Sequence, residues 1–140
     1  MRVIVTGSRK YDDPAAVNAA LTDLYESLPP TERLVLIEGG ATGADELAGN
    51  WAESRREWGH RVDHERYYAL WSGPCRDTCR PGHRRKRPNG SDYCPAAGTY
   101  RNQRMVDLGA DVVLAFPGGT GTADLCRRAR AAGIDVREVG

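Results

Sequence analysis

VVLAFPGGTGTADL, Val112 to Leu125, leaves an apolar run through a proline, three glycines and two threonines before helix-forming sequence resumes. An ordinary strand-to-helix turn needs less punctuation than that. The surplus of bare backbone therefore calls for a purpose beyond turning the chain. The same cadence occurs twice more, each time after a short apolar run. Arg2 to Thr6 (RVIVT) runs into Gly7-Ser8-Arg9, and Leu34 to Ile37 (LVLI) into Glu38-Gly39-Gly40-Ala41-Thr42-Gly43.

Between these runs the apolar period changes from that of strands to that of helices. Pro14 opens a stretch with Val17, Leu21, Leu24 and Leu28 at helical spacing, closed by Pro29-Pro30. Ala44 to Trp58 reads as a second helix with Leu47, Ala48 and Trp51 on one face and Gly59 as its stop. A weaker strand follows at about His60 to His64. Helical sequence returns near Tyr100 to Leu108, then a strand Asp111 to Phe116, a helix Ala123 to Ala132 and a last strand near Asp135 to Val139. Strands alternating with helices, and uncharged runs such as VIV, LVLI and VVLAF, argue for an α/β fold: a Rossmann-like, doubly wound parallel sheet covered on both faces. About five strands in the order 3-2-1-4-5 are expected. The competing reading is an α+β domain with an antiparallel sheet.

The totals fit one compact domain over 1–140, with an inserted Cys/His/Arg-rich loop at 72–98. The chain has 140 residues, 40% of them hydrophobic, and a net charge of +1, so overall charge suggests neither nucleic acid nor a membrane surface. No apolar run reaches the roughly 18–20 residues of a membrane span, and MRVIVTGSR turns polar too soon for a signal peptide. A cytoplasmic protein is expected. Its four cysteines should then be reduced, which favours metal binding over disulfides. Exposed helix faces permit a homodimer without demanding one.

In a doubly wound sheet, ligands bind beyond the carboxyl ends of the strands near the point where the strand order reverses. In the expected order all three glycine-rich turns lie on that edge. Glycine admits a ligand close to the backbone, and the helix N-termini that follow offer free N–H groups and partial positive charge to a phosphate. The expected ligand contacts are Gly7, Ser8, Arg9, Gly39, Gly40, Thr42 and Gly43 from the first two turns, with Gly118, Gly119, Thr120, Gly121 and Thr122 holding the phosphate. Arg101 would aim its guanidinium at the same phosphate, with Asn102 beside it. The plainer reading of Arg101 and Arg104 is a solvated helix face paired with Asp107. Neither a P-loop nor the G-x-G-x-x-G spacing follows the first strand, which weighs against ordinary NTPases and dehydrogenases.

As a set, VIVTGSR (Val3 to Arg9), EGGATGAD (Glu38 to Asp45), YRNQRMVD (Tyr100 to Asp107) and AFPGGTGTADL (Ala115 to Leu125) resemble the SLOG superfamily of Rossmann-like nucleotide-binding domains, in its YspA-type branch. The resemblance implies binding of a nucleotide or nucleotide-derived ligand, in a sensor, carrier or sequestering role. The related LOG phosphoribohydrolases cleave the N-glycosidic bond of nucleoside monophosphates and carry PGG-x-GT-x-x-E with an Arg-Lys pair upstream. Here Arg101-Asn102 stands for the Arg-Lys, and Leu125 falls where the glutamate belongs. Asp124 is one residue off, about 100° round the helix. A positioned carboxylate helps stabilise the oxocarbenium-like transition state of such cleavage. Glu38 or Asp45 is the candidate for a catalytic group. The plainer readings are a strand-end carboxylate bonded to a turn for Glu38 and a helix-dipole acid for Asp45.

The regular pattern fails between Trp71 and Thr99. There Cys75, Cys79, His83 and Cys94 fall at spacings that suit a closed, structural zinc site, against the alternative of a loose loop with unrelated thiols. Arg76, Arg80, Arg84, Arg85, Lys86 and Arg87 in the same segment raise a third reading, association with nucleic acid, which the distant kinship of the resembled superfamily to the DNA-processing protein DprA also implies. Tyr93 alone is thin provision for base stacking there. Cys126 reads as a packed helix thiol. Trp71 either closes over the rim of the ligand pocket or packs under the loop.

Overall fold

A computed structural model describes Met1–Gly140 in full. The five-stranded sheet is parallel throughout, in the order β3-β2-β1-β6-β7. Its members are β1 (Arg2–Thr6), β2 (Leu34–Glu38), β3 (Val62–Arg66), β6 (Val112–Ala115) and β7 (Asp135–Glu138). With the short antiparallel hairpin β4 (Arg85–Lys86) and β5 (Asp92–Tyr93) set aside, this is the expected order 3-2-1-4-5.

Side chains alternate across a strand, so each strand feeds two cores. Val3 and Val5 of β1, Leu34 and Leu36 of β2, and Val112 and Leu114 of β6 face one layer. There they meet Val17, Leu21 and Leu24 of α1 (Pro14–Ser27) and Ala44, Ala48, Trp51 and Ala52 of α2 (Ala44–Glu57). Ile4, Ile37 and Val113 point the other way, onto Met105 and Val106 of α3 (Ala97–Leu108) and Leu125 and Ala129 of α4 (Thr120–Ala131). Each fully buried aliphatic side chain contributes about 1.5–3 kcal/mol of apolar transfer. The two edge strands, VDHER and DVRE, carry charges that blunt edge-to-edge pairing.

Local signals set the element ends. Asp13 caps α1 by accepting the Ala16 N–H at 3.0 Å, with Pro14 at the first helical position. Gly59, at φ +77°, stops α2. Two helices begin earlier than the sequence suggests. Helix α3 starts at Ala97 instead of near Tyr100, and α4 at Thr120 instead of Ala123. Glycine and threonine are weak helix formers, so GTGT reads as loop, yet packing of Leu125 and Ala129 draws those residues into the first turn of α4. Strand β3 lies two residues later than expected.

The strand order reverses at β1, which has β2 on one side and β6 on the other. A crevice opens there, beyond the carboxyl ends of the strands.

Candidate functional site

The crevice is a cleft of about 830 Å³. Of the residues expected to bind ligand, Gly7, Ser8, Arg9, Arg101, Asn102, Gly119, Thr120, Gly121 and Thr122 line it, as does Asp45. Gly39, Gly40, Thr42, Gly43 and Gly118 do not, and neither does Glu38.

The reason lies in how the second turn is built. Gly43, at φ +76°, packs against the backbone of Ser8 and Arg9, where a Cβ would collide with the Arg9 carbonyl. The adjoining Ala44 N–H bonds Ser8 O at 3.2 Å, and the Thr42 hydroxyl donates to Arg9 O at 3.1 Å. The β2 turn thus clamps the β1 turn, and of its residues 39–43 Ala41 alone reaches the cleft. Gly118 plays a similar part, pressed against Thr122 and the Ser8 amide. At Gly119 and Gly121, by contrast, an added Cβ would meet nothing within 4 Å.

Gly119 is the N-cap of α4, makes no side-chain cap bond, and is followed by a first turn free of acids. The leading N–H groups of a helix have no partner within it, so this end presents donors and partial positive charge to the cleft. Arg9 and Lys10 stand on the rim, and neither side chain makes an ion pair or hydrogen bond.

Arg101 is aimed elsewhere than at the α4 turn. Its guanidinium donates to Gly39 O and, at 3.5 Å, to Tyr67 O, while Nε reaches Asn102 Oδ1 at 3.0 Å. Burial holds its pKa below the usual arginine value, and the neighbouring Asp45 charge pulls it back up. Asn102 is buried and committed: its amide donates to Gly121 O at 3.2 Å and to Asp124 Oδ2 at 3.1 Å, tying α3 to the first turn of α4. The expected alternative, Arg101 and Arg104 paired with Asp107, is not formed. Arg104 lies over the Tyr67 ring and Asp107 accepts from Gln103.

The two candidate carboxylates have separate environments. Glu38, with no exposed surface, stands opposite Arg66 across the β2–β3 pair; it accepts Arg66 Nε at 2.7 Å and the Gly40 N–H at 3.1 Å. His64 Nε2 lies 3.8 Å from the same oxygen, and Glu38 Oε2 has no partner. Sequence reasoning missed Arg66 and His64, because only the β2–β3 register brings them to Glu38. Asp45 lines the cleft and accepts the Gly39 and Ala41 N–H groups at 3.1 and 3.3 Å. Burial and then the Glu38 charge push its pKa up to about 6, against the pull of the Ala41 N–H, Arg101 and the Gly39 N–H. At the position of the LOG glutamate, Leu125 is in the core, while Asp124 lines the cleft but pairs with Arg127 and Arg128.

The ligand atoms of Cys75, Cys79, His83 and Cys94 all lie within 4.8 Å of one another, and this cluster could hold a metal ion. Metal–sulfur and metal–nitrogen bonds of about 2.3 and 2.0 Å set tetrahedral edges of about 3.5–3.8 Å. Two separations come close to that edge, 3.9 Å for Cys79–Cys94 and 3.5 Å for Cys94–His83, while Cys75–His83 is shorter at 2.8 Å. The Tyr100 hydroxyl reaches Cys79 Sγ at 2.8 Å and Arg84 reaches Cys75 Sγ at 3.4 Å, outer contacts of the kind that orient thiolate ligands. Several cations of the loop are occupied within it: Arg84 pairs with Asp92, Arg76 stacks on Tyr100, and Arg87 lies over Tyr93. Cys126 is buried on α4.

No helix is long and apolar enough to cross a membrane. The model of the YspA, cpYpsA-related SLOG family matches residues 1–72, and the chain belongs to that family. It is also similar to the Gene 61 protein of Mycobacterium phage D29, at 39% identity over 99% of this chain and 96% of the phage protein. Family membership suggests nucleotide-related ligand binding in general.

Proposed function

We propose that the chain binds a nucleotide-derived phosphate ligand in the cleft at the β1–β6 switch point, in a sensing, carrying or sequestering role. One observation carries this reading: the uncapped, acid-free N-terminus of α4 opens through Gly119 and Gly121 onto a cleft whose rim holds the unpaired cations Arg9 and Lys10. Free N–H groups, partial positive charge and cations without an anionic partner together suit an oxyanion. The phosphate sits on Gly119, Thr120, Gly121 and Thr122, with Gly7, Ser8 and Arg9 on the opposite wall. Arg101 and Asn102 position the wall, and Gly39, Gly40, Thr42, Gly43 and Gly118 shape the turns behind it.

Zinc fills the cluster of Cys75, Cys79, His83 and Cys94 in a structural role. Three thiolates and an imidazole close the coordination shell, and the metal orders a segment with few buried apolar groups. The whole of 1–140 acts as one domain with 72–98 as its insertion.

A thermal-shift screen tests the main reading, using nucleoside mono-, di- and triphosphates, NAD, ADP-ribose and cyclic nucleotides. A ligand at a hundred times its Kd adds about 2.7 kcal/mol of stability. A reproducible rise for members of the panel supports the reading, and silence across it counts against it.

Asp45 supports a second reading, N-glycoside hydrolysis of a nucleotide. It is a buried carboxyl that lines the cleft and titrates at about 6, a value suited to proton transfer near neutral pH. Release of free base from nucleoside monophosphates, lost in Asp45→Asn, would favour it. Glu38 is turned toward Arg66 and serves the fold.

A further inference from the structure

A cleft of about 830 Å³ is far larger than a phosphate requires and falls in the range that holds a whole nucleotide-sized ligand. Trp71 is the one aromatic side chain among the residues lining it. Trp71 is held at its backbone and on two sides of its ring. Its backbone carbonyl accepts the Cys94 N–H at 2.8 Å, Tyr93 meets it edge-on with ring centroids 6.1 Å apart, and its six-membered ring lies over Gly98, where an added Cβ would stand 2.9 Å from it. Gly98 sits in the first turn of α3, a poor place for glycine on propensity alone; the close approach of the indole explains it. Arg9 lies over the same indole with its guanidinium carbon 5.5 Å from the ring centroid and no other side-chain partner.

We propose that Trp71 is the stacking platform for the planar ring of the ligand, a nucleobase, and that Arg9 leaves the indole for the ligand's phosphate when the base arrives. This rests on the phosphate-binding reading above and adds the ring to it. A cation held only by an indole face is exchangeable: an incoming base replaces it on the ring, and the phosphate offers the guanidinium a charged partner. The wall that carries the indole belongs to the metal loop, through Tyr93 and the Cys94 amide, so the loop supplies the base-recognition side of the cleft and α4 the phosphate side.

Calorimetric titration compares AMP, GMP, CMP and UMP with ribose 5-phosphate on the wild type, Trp71→Ala and Trp71→Phe. Stacking on an aromatic side chain is worth about fivefold or more in affinity. At least one nucleotide should bind the wild type that much more tightly than ribose 5-phosphate. Trp71→Ala should erase the advantage while leaving ribose 5-phosphate affinity and metal content unchanged, and Trp71→Phe should keep most of it. Bound nucleotide should also quench wild-type tryptophan emission but not that of Trp71→Phe, because Trp51 and Trp58 lie outside the cleft. Equal affinity for nucleotides and ribose 5-phosphate, or an advantage that survives Trp71→Ala, overturns the stacking role and leaves the phosphate site standing. Failure of every ligand on the wild type overturns both.

Discussion

Replacing Gly119 by aspartate separates binding from folding by the sign of two effects. Gly119 has φ −104°, outside the positive range that only glycine takes readily, and a Cβ there would meet nothing within 4 Å. Aspartate is among the best N-cap residues, and its charge suits the positive end of the helix, so α4 should gain about 0.3–1 kcal/mol. The same carboxylate would stand where the phosphate is proposed to sit. With the two charges about 5 Å apart and an effective dielectric constant of about 20, the repulsion is about 3 kcal/mol per unit of phosphate charge. That corresponds to a Kd more than about a hundredfold weaker. Calorimetric titration with the best nucleotide of the panel gives the affinity, and thermal unfolding of the free protein gives the stability. The expected pair is affinity lost with Tm unchanged or higher. Unchanged affinity would refute the assignment of the phosphate to the α4 turn. Lost affinity with a Tm lower by several degrees would refute the capping argument and attribute the loss to unfolding.

Three other expectations follow from particular groups. Asp45 titrates at about 6 in the folded protein against 3.8 for the free carboxyl. A raised pKa gives stability that is fully present below about pH 4 and lost as pH rises to about 6, amounting to about 3 kcal/mol. Urea unfolding of the wild type should show that decline between pH 4 and 6, and Asp45→Asn should flatten it; an unchanged slope would contradict the burial argument. Glu38→Gln should lower stability by about 1–3 kcal/mol, because it weakens a bond from Arg66 to a buried acceptor, while ligand affinity stays within about twofold. A selective loss of affinity would return Glu38 to the site. Metal analysis should find one zinc per chain, and Cys79→Ser or a strong chelator should lower Tm and weaken nucleotide binding; neither change occurring would leave the loop ordered by other means.

The central strands were legible because burial on both faces writes itself as unbroken apolar runs, VIV, LVLI and VVLA. Strand β3 read weakly since VDHER is an edge strand with one buried residue, Val62, and its charges answer partners elsewhere in the chain, Arg2 of β1 and Arg33 just before β2. The early starts of α3 and α4 were hidden by glycines whose reasons are tertiary: Gly98 admits Trp71, and Gly121 lies in a first turn held by Asn102. The candidate site was legible as composition, three glycine-rich turns on one edge. Which turns face the cleft was not. Gly39, Gly40 and Gly43 have the same local signature as Gly119 and Gly121, and their packing on Arg101, Tyr68 and the Arg9 backbone, with positive φ at Gly40 and Gly43, sets them apart. The four metal-ligating candidates were found by spacing alone because they are close in sequence. Arg66 and His64, nearly thirty residues from Glu38, gave no such signal.

The backbone amides of the α4 turn can be watched directly. With ¹⁵N-labelled protein and a titrated nucleoside 5′-monophosphate, the account predicts that the resonances of Gly119, Thr120, Gly121 and Thr122 move together and saturate at one Kd, and that Gly119→Asp abolishes the shifts. Saturable shifts confined to the arginine-rich loop at 76–92, with the α4 turn unmoved, would contradict it.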